Sequence, residues 1–359
     1  MDANGTSPAG DSAPIASRRA LRLALGTSLA LWFSQAVAWD MSFIAPVLTL
    51  TILGLPLPPL KLKAGVALVL VVALSLNAGL LLLPVILNYR VTGLLLLALA
   101  LYWCFYFTAK GGNQLLGTFA TIGLAVATAV GSVSLDAVLA IIEGVVLGAA
   151  VGVAFVWLAH ALLPDPAGAP ASMPTPTAAT VDLGEARLSA FRSLAIILPI
   201  ALWFLLSSQS AAFAPVMIKV AAMAQQATNE ATRVAARSLI KSTILGGAAA
   251  IVAWNLLRIH PSLTLYTLLV ALAALQFGRR TFEGNGLRAD AETWSYGLLT
   301  MVVILAPAVL DSMTGTSADV RFHERLVMFA GATLYAVLAV YVFDAFRTRA
   351  PAGRGSVAS

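Results

Sequence analysis

Apolar residues do not alternate with polar ones along this chain. They run together in continuous blocks, many close to the roughly 20 residues that cross a bilayer as a helix. The blocks fall at 20–38, 42–56, 63–84, 91–109, 115–133 and 137–162, and again at 193–208, 212–226, 237–257, 262–278, 294–313 and 325–346. In lipid every backbone N–H and C=O needs a partner within the structure, so continuous apolar blocks predict helices. The predicted fold class is all-α: a polytopic transmembrane helix bundle of about twelve spans, built as two parallel six-helix repeats. Residues 1–17 read as a disordered cytoplasmic tail, 18–163 as the first half, 164–186 as a Pro/Ala/Thr-rich cytoplasmic linker, 187–349 as the second half and 350–359 as a second tail.

The repeat rests on ordered matches. Ala30-Leu31-Trp32-Phe33 and then Phe43-Ile44-Ala45-Pro46-Val47 in the first half answer Ala201-Leu202-Trp203-Phe204 and then Phe213-Ala214-Pro215-Val216 in the second. A basic residue precedes each pair (Arg22, Arg192), and a basic loop follows it (Lys61 and Lys63; Arg237 and Lys241). An even number of helices per half gives both halves the same orientation, as in parallel transporter repeats. The first block also fits a secretory signal, with Arg18, Arg19 and Arg22 about its start and Ala36-Val37-Ala38 at its end. Its twin in the second half favours a retained span. The second block of each half is short and carries a proline, Pro46 or Pro215, so these two read as tilted, thinly spanning or broken helices, and a broken helix survives at membrane depth where it lines a cavity.

Composition agrees with the pattern. Of 359 residues, 60% are hydrophobic and 11% charged, against about 25% charged in soluble domains. The net charge of +6 does not point to nucleic acid, because no basic domain stands outside the apolar blocks. It reads as a topology signal. With a cytoplasmic N-terminus, about 17 Lys and Arg fall inside and four (Arg90, Arg258, Arg321, Arg325) outside, leaving Lys219 within a span. Both termini are then cytoplasmic. Cys104 is the single cysteine, and His160, His260 and His323 lie at separate helix ends, so neither a disulfide nor a metal cluster is predicted.

No phosphate-binding, dinucleotide-binding or hydrolytic motif occurs, so neither enzymatic activity nor a cofactor is predicted. Candidate chemistry lies in polar groups at membrane depth. Lys219 sits in the short eighth span, where it could bind a substrate, couple an ion, snorkel to the interface or complete an ion pair. Glu143 could pair with Lys219, carry a proton or cap its helix. Gln35 and Gln209 can bond across helices. Trp103 and Tyr106, within Tyr102-Trp103-Cys104-Phe105-Tyr106-Phe107, form either an interfacial belt or a stacking surface.

Basic residues, a tryptophan-bearing span, a short proline-bearing span, a basic loop and a glycine-containing span follow one another at Arg18 to Trp39, Phe43 to Leu55 and Lys61 to Gly65. They return at Phe213 to Lys219, Arg233 to Lys241 and Gly246-Gly247. Over residues 18–346 this order resembles the fusaric-acid-resistance (FUSC) superfamily of bacterial inner-membrane proteins, in a compact branch without the large cytoplasmic domain. The superfamily includes aromatic-acid exporters, so the resemblance implies efflux from the inner membrane of small organic acids, aromatic ones among the candidates, or of related toxic compounds. It also implies a periplasmic membrane-fusion adaptor and an outer-membrane channel as partners, with a homo-oligomer open. The runner-up is a non-transporting membrane scaffold. An unrelated twelve-helix transporter fits less well, since Pro58-Pro59-Leu60-Lys61-Leu62-Lys63 replaces the Gly-Asp-Arg loop of the major facilitator type.

Overall fold

A computed structural model describes residues 12–39, 41–165, 182–206, 232–313 and 318–349. The described residues form eleven helices: α1 (Ser12–Val37), α2 (Ile44–Leu53), α3 (Leu62–Asn88), α4 (Arg90–Ala109), α5 (Gln114–Gly131), α6 (Leu135–Leu162), α7 (Leu183–Leu206), α8 (Thr232–Ile259), α9 (Leu263–Thr281), α10 (Ala291–Met313) and α11 (Ala318–Arg349). A small hairpin, β1 (Phe282–Glu283) with β2 (Gly286–Leu287), joins α9 to α10 in antiparallel register. Eight of the helices are long and apolar enough to cross a membrane. The chain is a multi-pass helical membrane protein.

Local sequence explains the helix ends. The Asn113, Ser134 and Ser262 side chains accept hydrogen bonds from the first turns of α5, α6 and α9, satisfying donors that no earlier turn can. Asp182 does the same for α7 by accepting from the Gly184 N–H at 2.8 Å. This cap starts α7 about ten residues before the apolar block that marks it in the sequence. Helix α1 likewise begins at Ser12, inside the stretch read as a tail; Pro14 is acceptable there because a first-turn proline has no helical hydrogen bond to lose.

Burial divides the helices into two kinds. Residues 121–131 of α5 and 297–308 of α10 are buried without interruption, as expected of helices enclosed on all sides. Helix α3 buries only a stripe (Gly65, Leu68, Val72, Leu76, Gly79, Leu83) and exposes Leu70, Leu74 and Leu81. An outer face that is itself leucine suits hydrocarbon rather than water. Helix α2, at ten residues, is shorter than its apolar block, and nine of those residues are buried. It packs between α1 and α6 and also touches α10. The extended stretch after it is held where the Trp157 indole donates to the Leu60 carbonyl at 2.8 Å.

Lipid offers no hydrophobic drive for helix association, so close backbone approach must supply it. Small residues mark the main contacts. Gly148 and Gly152 of α6 face Ile44 and Ala45 of α2, Gly79 of α3 faces Ala127 of α5, Gly246 of α8 faces Gly297 of α10, and Gly278 of α9 faces Ala20 of α1. The packing pairs recur: α3 lies along α5 and α8 along α10, while α1 packs on α9 and α4 on α7.

Candidate functional site

One end of the bundle carries Arg19, Arg22, Lys61, Lys110 and the hairpin, and is termed the basic end. The opposite end carries the α1–α2, α8–α9 and α10–α11 turns. The site is a pair of features, one at each end of the same helices.

At the opposite end, the C-terminal turns of α1, α8 and α10 and the first turns of α9 and α11 surround a cavity of about 580 Å³. Its apolar wall includes Trp254, Leu257, Leu263 and Val309. Two of its lining residues are almost fully buried, Gln35 at 4% and Tyr266 at 1% exposure. Among the described residues, Gln35 makes one long contact, from Nε2 to the Ser42 hydroxyl at 3.4 Å, and its Oε1 has no partner. The Tyr266 hydroxyl also has none among them. A buried polar atom without a partner typically costs about 1–3 kcal/mol, so two beside one cavity are a strong local signal.

The cavity also carries a pair of charges. Asp319 accepts from the Trp254 indole at 2.8 Å and pairs with Arg258 at 3.4 Å. Trp254 in turn stacks on Phe322, with ring centroids 5.1 Å apart. Close by in sequence, Asp311 lies 2.7 Å from buried Arg325 and 3.3 Å from Arg321. The turn from α1 to α2 is strained: Ala38 and Met41 both take left-handed φ, 54° and 59°, which residues with a Cβ adopt rarely.

The basic end is closed along α1. Arg19 and Arg22 are each 2% exposed. Arg22 donates to Asp165 at 3.0 Å and to the Leu163 carbonyl at 3.3 Å. Arg19 donates to the Asn285 carbonyl at 2.6 Å and lies 3.9 Å from Asp165. Helix α1, the end of α6 and the hairpin are thereby tied together. Gln35 follows Arg22 by thirteen residues, so the closure and the cavity stand about 20 Å apart along α1. A smaller groove of about 120 Å³ opens at this end between α2, α5 and α10, lined by Thr51, Gln114, Thr118, Ser295 and Tyr296 among apolar residues. Helix α10 therefore walls a cavity at each end. Outside the spans, the Trp294 indole hydrogen bond, with Arg288 beside it, holds the Asp290 carboxyl below its usual range.

Of the residues singled out from sequence, Gln35 lines the larger cavity. Pro46 is buried in the first turn of α2. Trp103 and Tyr106 pack edge to face near the basic end of α4, and Trp103 is exposed; they do not line either cavity. Glu143 lies on the exposed stripe of α6 between Leu139 and Leu147. Lys219, Gln209 and Pro215 lie outside the described residues. Sequence reasoning missed Tyr266, Arg258 and Asp319 as one group. Arg258 was visible only as an orientation charge, and nothing in the apolar block 262–278 set Tyr266 apart from its packing neighbours. Among the described residues, no group of three His, Cys, Asp or Glu is placed to hold a metal ion.

A family model described as a protein of unknown function (DUF2955) matches residues 19–159, the stretch from buried Arg19 through most of α6. No curated protein and no solved structure matches the chain.

Proposed function

We propose that the chain is an efflux transporter of the bacterial inner membrane, for small organic acids, including aromatic ones, or related toxic compounds. The observation that carries this reading is the asymmetry along α1: a cavity of about 580 Å³ at one end and a buried Arg19/Arg22–Asp165 closure at the other. A site reached from one side and shut on the other is what alternating access requires. The excess of Lys and Arg assigns the basic end to the cytoplasm, with both termini on that side, so the cavity faces the periplasm.

The recurrent packing pairs support two parallel halves of six spans, twelve in all. Helix α7 ends beside the end of α5, where Ser132 reaches the Leu205 carbonyl, and α8 starts beside the start of α10, where Ser238 meets Thr293. The order of motifs resembling the FUSC superfamily supports efflux, with a periplasmic adaptor and an outer-membrane channel as partners and an ion gradient as the driving force. No catalytic role is assigned. Lys219 and Glu143 keep the substrate-attracting and proton-coupling roles their depth suggests.

Flux measured in proteoliposomes tests the reading. Wild-type protein should move at least one aromatic acid down an imposed gradient faster than empty liposomes, and Ser312→Trp, which fills the cavity mouth, should abolish the difference. If no organic acid moves faster than in empty liposomes, the transporter reading fails and a scaffold takes its place. If Lys219→Ala leaves every flux unchanged, the role of Lys219 fails alone.

A further inference from the structure

We infer that the cavity takes a small molecule with an apolar body and one uncharged head that both donates and accepts a hydrogen bond: a primary amide, a phenol or an undissociated carboxyl. The inference rests on the transporter reading and narrows the substrates of this cavity to organic acids in their undissociated form and to uncharged relatives with an amide or phenol head.

The argument is one of hydrogen-bond and charge matching. Gln35 and Tyr266 line the cavity and keep polar atoms that nothing in the described structure satisfies. The Gln35 amide offers an oxygen acceptor together with a weakly engaged N–H donor, and the Tyr266 hydroxyl can do either. Both atoms lie beneath the cavity surface, so the side chains must turn to meet a ligand; a head that then donates to one and accepts from the other removes both deficits at once. An ionised carboxylate cannot, because it only accepts. Its charge would also go unpaired. Arg258 is the cation among the described lining residues, but it is half in solvent and already shares its charge with half-exposed Asp319 at 3.4 Å, so it supplies no buried counter-charge to a head held by Gln35 and Tyr266. Burying a charge without a partner costs far more than burying an uncharged polar group.

The rest of the wall fits the body of such a molecule. Leu257, Leu263, Val309 and the Trp254 ring supply apolar contact, and binding sites for small molecules commonly combine an apolar lining with a few polar anchors. Charge neutrality sets this site apart from one that selects anions.

The experiment compares two probes of nearly equal shape, benzamide and benzoate, by calorimetric titration of the full-length protein in lipid nanodiscs at pH 8. Benzoate is fully ionised there, since carboxyl groups titrate near pH 4. Benzamide should bind at least roughly tenfold more tightly, and Tyr266→Phe or Gln35→Leu should each weaken it about three- to tenfold, the range for one lost neutral hydrogen bond. The wild-type comparison needs no variant to fold. Benzoate binding as tightly as benzamide, binding of neither probe, or benzamide binding unchanged in both folded variants overturns the inference. The two readings fail separately. Benzamide bound as described but with no flux of any compound defeats the transporter and leaves the site, whereas gradient-driven flux indifferent to both variants defeats the site and leaves the transporter.

Discussion

A guanidinium removed from water needs its counter-charge close by, and two of them at Arg19 and Arg22 share a single carboxylate, Asp165. Removing that carboxylate strands buried positive charge, which costs about 3–5 kcal/mol when a buried pair is broken from one side. Asp165 is itself 19% exposed, so the lower end of that range applies. Asp165→Asn should therefore lower the unfolding midpoint in detergent clearly. The triple variant Arg19→Met/Arg22→Met/Asp165→Leu should recover most of the loss, because it removes the shared carboxylate together with both buried cations. A midpoint for Asp165→Asn equal to wild type would mean that the pair carries no stability. The sequence showed Arg18, Arg19 and Arg22 as one basic flank and gave no sign that two of the three are buried. The reason is distance: Asp165 lies 143 residues from Arg22, and the Asn285 carbonyl 266 from Arg19. Gln35 was visible as a candidate because a polar side chain inside an apolar block stands out alone. Its neighbour Tyr266 was not, because an aromatic ring in such a block reads as packing.

Helices are the scale at which the sequence spoke most clearly. The apolar blocks from 63–84 to 137–162 and the blocks at 237–257, 262–278 and 294–313 all correspond to helices. What periodicity could not show is which helices lie inside. In lipid both the buried and the exposed face are apolar, so α3, with a leucine outer face, and α10, buried throughout its middle, look alike as strings. Small residues carry the missing information. A Cβ on Gly246 would collide with the backbone carbonyl of Gly297 and with Thr300, whereas one on Gly331 of α11 meets nothing within 4 Å. Gly246→Ala should thus force α8 from α10 and destabilise the protein by about 1–3 kcal/mol, the usual cost of overpacking. Gly331→Ala should be neutral or slightly stabilising, since alanine is the better helix former. Thermal unfolding of the two purified variants decides this, and equal midpoints would show that the α8–α10 contact has room to spare.

For the whole molecule, the arrangement that matters is one wall with two cavities. Helix α10 presents Ser295 to the groove at the basic end and Ser312 to the cavity at the opposite end, and the unbroken buried run 297–308 separates them. A transporter built this way exchanges access: as one cavity opens, the other must close, or the barrier leaks. Cys104 is the single native cysteine, so a Cys104→Ala background lets one introduced thiol report on either end. In sealed vesicles, a membrane-impermeant maleimide should label the Ser312→Cys variant from the periplasmic side and the Ser295→Cys variant from the cytoplasmic side. A bound substrate that shifts the population towards one state must change the two labelling rates in opposite directions, because a ligand moves an equilibrium only through its different affinity for the two states. Rates that rise or fall together would indicate a rigid body whose cavities are merely two surface hollows. Labelling of both positions from one side would overturn the assignment of the basic end to the cytoplasm. Opposed shifts at two serines of one helix, about 25 Å apart at the helical rise, would instead make α10 the element on which the two states turn.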